Sequence, residues 1–165
     1  MLVLGIDPGT AITGFGLVKR ERGCEILIRY GVIRTASTMD MPQRLAKINR
    51  EYNELLDEYQ PDAVAIEQIF HHKNAKTVIT VAQSRGVLLM AAALRDIEIA
   101  EYTPLQVKQA VTGFGNADKR QVQIMVQKIL AMDKTPQPDD AADALAIALC
   151  HLHAYRLGNI LKRGR

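Results

Sequence analysis

Cysteine is scarce in this chain. There are 2 in 165 residues, Cys24 and Cys150, far apart and in no metal-binding spacing. Free thiols in a chain without a charged–apolar–small secretion pattern at its N-terminus fit a reducing cytoplasm. No stretch approaches the roughly 18 consecutive apolar residues of a membrane-spanning helix, so a cytoplasmic location and no membrane partner are expected. Internal repeats and low-complexity segments are also missing. The charge is nearly balanced: 21 Lys and Arg against 18 Asp and Glu leave +3, a weak pointer to nucleic acid. It weighs more if some of those acids are neutralised by metal, because the remaining surface is then more basic than the total. Apolar residues make up 48%, enough for a core in a length that suits one domain. The folded unit is expected over 1–157, with a loose basic tail over 158–165.

Leu2 to Ile6 reads as a continuous buried strand and Asp7-Pro8-Gly9-Thr10 as a turn. Thr13 to Lys19 alternates and carries Gly14 and Gly16, where another backbone can come close. Cys24 to Ile33 is a third strand, with Cys24 expected in the core, so three strands form an antiparallel meander. Met41 to Tyr59 is an amphipathic helix with Leu45, Ile48, Tyr52, Leu55, Leu56 and Tyr59 on one face and Pro42 in its first turn. Ala63 to Glu67 returns as a buried strand, which implies a parallel crossover. Asn74 to Arg95 is a long helix whose second half, Val87 to Leu94, is apolar nearly all round and needs a cover, with Leu89 a candidate to face the partner helix. Glu98 to Tyr102 is the last strand. Helices follow over Pro104 to Val111, Ala117 to Ala131 and Asp140 to His153. This order suits an α/β protein with a five-stranded mixed sheet flanked by helices, the order of the ribonuclease H-like fold, although periodicity allows other α/β arrangements.

Four carboxylates stand where folding alone would not put them. Asp7 ends the first apolar strand and Glu67 ends the fourth, while Asp140 and Asp143 open the apolar stretch Ala141 to Cys150. An ionised carboxylate beside buried hydrophobes costs several kcal/mol, of order ~5, unless a cation or hydrogen bonds compensate. Asp140 and Asp143, three apart, share a helix face at an end where the macrodipole favours negative charge. Open α/β sheets gather function beyond their strand ends. Four hard oxygen donors without thiolate suit Mg²⁺, with Mn²⁺ as a substitute. Two such ions per site are expected, the arrangement that activates water and stabilises the leaving oxygen of a phosphodiester. Each acid also has a plain reading: Asp7 in a tight turn, Glu67 paired with a lysine, Asp140 as a helix cap. Cys150, His151 and His153 lie near one another but in poor spacing for zinc.

Five segments, Gly5-Ile6-Asp7-Pro8-Gly9, Ala65-Ile66-Glu67-Gln68-Ile69-Phe70, Gln83-Ser84-Arg85-Gly86, Gln106-Val107-Lys108-Gln109 and Asp140-Ala141-Ala142-Asp143-Ala144-Leu145, resemble in that order the RuvC family of bacterial Holliday junction resolvases. The similarity runs from about Leu2 through His153. The resemblance implies a homodimer that nicks two strands of a four-way DNA junction symmetrically, leaving 5′-phosphate ends, in recombination and repair. It also implies work alongside a RuvA-RuvB branch-migration complex. By motif matching the family's catalytic and metal-binding acids fall on Asp7, Glu67, Asp140 and Asp143. Its base-stacking aromatic falls on Phe70, and its lysines near the scissile phosphate fall on Lys108 and Lys119. Asp139 has no clear counterpart. Phe70, in the polar loop after Glu67, is poorly placed for the core and suits base stacking, its plain reading being a staple on the following helix; the plain reading of the two lysines is solvated surface. His71 and His72 read as loop decoration.

A second function class stays open. Gly5 to Thr10 resembles the phosphate hairpin of actin-like ATPases and sugar kinases, but those enzymes need two such domains and a second glycine-rich loop. An idle junction-binding module would not need four acids together.

Overall fold

The computed structural model describes residues 1–69 and 75–163, and side chains for all of these except 75–77 and 156–163. The elements are β1 (Leu2–Asp7), β2 (Ile12–Glu21), β3 (Cys24–Arg34), α1 (Met41–Tyr59), β4 (Ala63–Glu67), α2 (Ala75–Ala93), β5 (Glu98–Tyr102), α3 (Pro104–Thr112), α4 (Lys119–Ile129) and α5 (Asp139–Arg163). The sheet order is β3-β2-β1-β4-β5. β1, β2 and β3 pair antiparallel, and β4 joins β1 and β5 in parallel. The meander and the parallel crossover are those the sequence pattern implies. Among the described residues no helix is long and apolar enough to cross a membrane.

The sheet separates two apolar layers. Leu4, Ile6, Leu17, Val64 and Ile66 pack with α1 and α2. Val3, Val18 and Ala65 pack with α3, α4 and α5. β1 and β4 therefore alternate in size although not in polarity. Large residues face α1 and α2, whereas the other face carries Gly5 and Ala65 and ends in Asp7 and Glu67.

That small-residue face lets α5 approach the sheet closely. A Cβ on Gly5 would stand 2.1 Å from the Ala144 carbonyl oxygen, and one on Gly14 would stand 2.0 Å from that of Asp140. At Gly16 a Cβ would meet Leu145 at 2.7 Å. Gly14→Ala is accordingly expected to destabilise the fold by roughly 2–3 kcal/mol, since backbone rather than a flexible side chain must yield. Chemical denaturation reads this directly, and an unchanged midpoint would mean that α5 shifts without cost.

Among the described residues, three helices begin with reciprocal capping boxes, Asp40 with Gln43, Thr103 with Gln106 and Asp118 with Gln121. Each cap contributes about 1 kcal/mol and fixes where its helix starts. The last of these sets Lys119 in the first turn of α4.

Two sequence expectations change. Cys24 opens β3 beside the Arg22-Gly23 turn and is exposed rather than in the core. The backbone of α5 continues as helix to Arg163, past His153, where the sequence pattern ends the last helix.

Candidate functional site

In the parallel pairing of β1 with β4, Ile6 lies opposite Ile66. The next residue on each strand is Asp7 and Glu67, so the two acids leave neighbouring strands at one level, about 4.8 Å apart across the sheet. Asp7 in turn pairs with Gly14 of β2, the glycine against which Asp140 of α5 is seated. Asp143 follows one turn later on the same helix face. The structure thus brings together four acids that lie up to 136 positions apart in the chain (143 − 7).

Electrostatics binds them into one unit. Burial raises the Asp7 carboxyl to about 7, helped by the charges of Asp143, Glu67 and Asp140, with Lys119 opposing. Burial likewise raises Glu67 to about 7, helped by Asp143 and opposed by Lys108 and Lys119. Asp143 is raised by burial against its hydrogen bond to Lys119. Burial pulls Lys119 down, but its hydrogen bond to Asp143 and the charges of Asp143 and Asp139 outweigh this and hold it above its usual value. Its ammonium lies 3.1 Å from Asp143 Oδ2 and 3.4 Å from Asp139 Oδ2. Lys108 and Lys119 line a recess of about 230 Å³ together with Glu67, Asp143, Pro104, Val107, Val122 and Ala146. Both lysines therefore belong to the acid cluster's surroundings and are not simply solvated helix surface.

Several contributors were not legible as such. Asp139 shares Lys119 with Asp143 and accepts from Gln123 Nε2 at 2.8 Å, so the acid without a family counterpart helps hold the lysine. The turn after Asp7 is pinned through its carbonyls. Thr13 Oγ1 and Ser84 Oγ donate to Gly9 O at 2.6 and 3.2 Å, and Thr35 Oγ1 donates to Thr10 O at 2.7 Å. Thr10 Oγ1 donates to Thr80 O at 2.8 Å. Buried threonines at the ends of a Gly-rich turn are the only trace this leaves in sequence.

Phe70, His71 and His72 lie outside the described residues. Cys150, His151 and His153 do not converge. The Cys150 thiol faces Gln106 O at 3.7 Å, His151 Nδ1 meets the Tyr102 hydroxyl at 2.9 Å, and His153 lies between Ala110 O and Glu25.

Among the described residues, α2 is covered on one side only. Leu88, Ala91 and Ala92 are buried, while Ile79, Met90 and Leu94 are 61%, 54% and 76% exposed. With the exposed Gly86 they repeat at helical spacing along one outer face. A Cβ on Gly86 would meet nothing within 4 Å. Leu89, which the sequence offered as a partner-facing position, packs against the core instead.

The donor set fits a divalent cation. All four acids offer hard oxygen, two of them are held near pH 7 by burial and mutual repulsion, and a lysine is already drawn in among them. Among the described residues no three His, Cys, Asp or Glu side chains stand as a finished ligand cage, so an ion would have to draw the acids in.

The chain matches the family model for "Crossover junction endodeoxyribonuclease RuvC" over residues 3–151. It is 63% identical to a protein of that name from Syntrophomonas wolfei over 98% of this chain and 94% of the relative. Identity to the one from Alkaliphilus metalliredigens is 52% over 98% and 99%. Its structure superposes on T. thermophilus RuvC in complex with Holliday junction substrate with TM-score 0.91 and 36% identity, covering 96% of each chain. The yeast mitochondrial Holliday junction resolvase Ydc2 shares the fold at TM-score 0.69 and 15% identity, over 99% of this chain and 84% of that one.

Proposed function

Because the chain belongs to the RuvC family of crossover junction endodeoxyribonucleases, we propose that it resolves four-way DNA junctions by paired, symmetric, divalent-metal-dependent nicks. The observation that carries this reading is the meeting of Asp7, Glu67, Asp140 and Asp143 at the strand ends, two of them held near pH 7. Mg²⁺ or Mn²⁺ would be held by those four carboxylates, two ions per site. Bound there, the metal supplies the acidity that makes water a nucleophile and the positive charge that steadies the leaving oxygen.

The chain's own side chains do the rest. Lys108 and Lys119 border the acids and offer ammonium groups to the phosphates next to the scissile bond. This contact positions DNA without reading its sequence. Asp143 and Asp139 hold the Lys119 ammonium beside the acids and favour its charged form. The recess between α3, α4 and α5 gives the phosphate a route to the acids. Phe70 follows Glu67 by three residues and is assigned to stack on an unpaired base, an interaction worth roughly 1–3 kcal/mol. The outer face of α2 supports a homodimer, and two sites about a dyad match two strands of one polarity. The family resemblance supports cooperation with a RuvA-RuvB branch-migration complex.

A synthetic four-way junction, a matched duplex and ATP, offered separately with Mg²⁺, test the proposal. Nicks in the junction alone are expected. ATP hydrolysis without nicking would instead favour the phosphate-hairpin class. Phe70→Ala should slow cutting of a fully paired junction about tenfold while binding changes little, and an unpaired base at the crossover should partly restore it. Wild-type cutting of paired junctions by that variant would leave Phe70 as a structural staple.

A further inference from the structure

α2 reaches the site through main chain as well as through packing. Ser84 and Arg85 are consecutive, and each donates to a backbone carbonyl just past a catalytic-strand end. Ser84 Oγ donates to Gly9 O, two residues beyond Asp7. Arg85 Nε donates to the carbonyl of Glu67 itself at 3.2 Å, and its Nη2 pairs with Glu101 Oε2. Glu101 lies on β5 opposite Ile66 of β4, so one guanidinium spans the ends of two neighbouring strands.

The Arg85 side chain is only 16% exposed. A guanidinium withdrawn that far from water is costly unless its donors are used, and here they meet two acceptors in a planar fork. The Glu67 carbonyl and carboxylate hang from one Cα. A tilt of the strand-end peptide therefore turns the carboxylate. Asp7 has its turn held by four side chains, whereas the Glu67 strand end receives this one side-chain bond among the described residues.

The geometry points to Arg85 as a positioning residue for the acid cluster: by gripping the Glu67 carbonyl and the Glu101 carboxylate together, it fixes the direction in which Glu67 presents its own carboxylate. Its consequence for cleavage rests on the metal-dependent nuclease reading above. Lysine cannot substitute, because one ammonium lacks the fork that meets both acceptors.

Two variants of the full chain decide the matter. Arg85→Lys keeps the charge but loses the fork. The reciprocal pair Arg85→Glu with Glu101→Arg restores an ion pair across α2 and β5 without a donor for the Glu67 carbonyl. Mn²⁺ affinity of the DNA-free protein, read by electron paramagnetic resonance well below the thermal midpoint, is measured beside single-turnover cleavage and junction binding in Ca²⁺. Arg85→Lys should bind Mn²⁺ about 10–100-fold more weakly and cut more slowly by a similar factor. Junction affinity should stay within about threefold, since it rests on phosphate contacts elsewhere. The reciprocal pair should recover the thermal midpoint but not the Mn²⁺ affinity. Wild-type Mn²⁺ affinity in Arg85→Lys, or its full recovery in the reciprocal pair, would overturn the role. If the wild type binds Mn²⁺ but nicks no junction, the nuclease reading fails, and the Mn²⁺ comparison still decides what Arg85 does.

Discussion

Replacing Asp7 with Asn should lower junction cleavage by at least about a thousandfold, or ~4 kcal/mol in transition-state terms, while making the metal-free protein more stable at pH 8. The same two results are expected for Glu67→Gln. Both carboxyls are raised to about 7 in the folded chain, mainly by burial and then by each other's neighbours. Their ordinary values lie near 4, so between about pH 4 and 7 the folded state holds more protons than the unfolded one. The stabilising effect of that protonation is complete below about pH 4 and is lost as pH rises toward 7. At pH 8 the cluster is charged and self-repelling, and removing one charge should return roughly 1–3 kcal/mol. Junction binding should hold or improve, because one negative charge no longer faces phosphate. Thermal midpoints at pH 5 and pH 8 check the sign: the wild type should gain more than the variants on going to pH 5. A variant that cuts at the wild-type rate would remove the acid from the chemistry.

Charging the outer face of α2 should break the assembly without breaking the fold. Leu94 and Met90 are mostly exposed in the single chain, so Leu94→Asp or Met90→Asp loses little packing inside a protomer. Sedimentation at micromolar concentration should fall from a dimer to the 18.3 kDa chain. The monomer should lose paired nicking and retain the pH dependence of its stability. Leu89→Asp is the useful contrast. Leu89 is partly buried and packs against the core cluster that includes Leu88 and Ala92, so a charge there should destabilise the protomer itself by several kcal/mol, on the order of 3. A wild type that sediments as one chain, or a dimer unmoved by Leu94→Asp, would refute this use of the face.

Much of the fold could be read from the chain. β4, β5 and α1 stand where their apolar patterns place them, because Pro61, Pro104 and the caps Asp40 and Thr103 mark their ends. The candidate site's acids also drew notice, since a carboxylate closing a buried run has few structural uses. What stayed hidden depends on partners distant in sequence. The excess of apolar residues on α2 announced a missing cover, yet periodicity could not tell Leu89, turned to the core, from Met90 and Leu94, turned outward. Lys119 was singled out by the family resemblance alone, because nothing local separates it from the rest of the 21 basic residues; the fold sets it between Asp139 and Asp143. Arg85 and Ser84 act on backbone carbonyls, which carry no sequence signature. The β1 strand hid its faces differently. Gly5 is as apolar as Leu4 by class, and only its lack of a side chain reveals where α5 lies.

The most direct test of the site is a Mn²⁺ titration of the DNA-free protein at pH 8, followed by calorimetry, for the wild type and for Asp7→Asn, Glu67→Gln and Asp143→Asn. Saturable binding that weakens at least about tenfold in each variant is expected, because each removes a charged oxygen ligand from one shared site. Identical titrations for all four proteins would show that these carboxylates do not hold the metal.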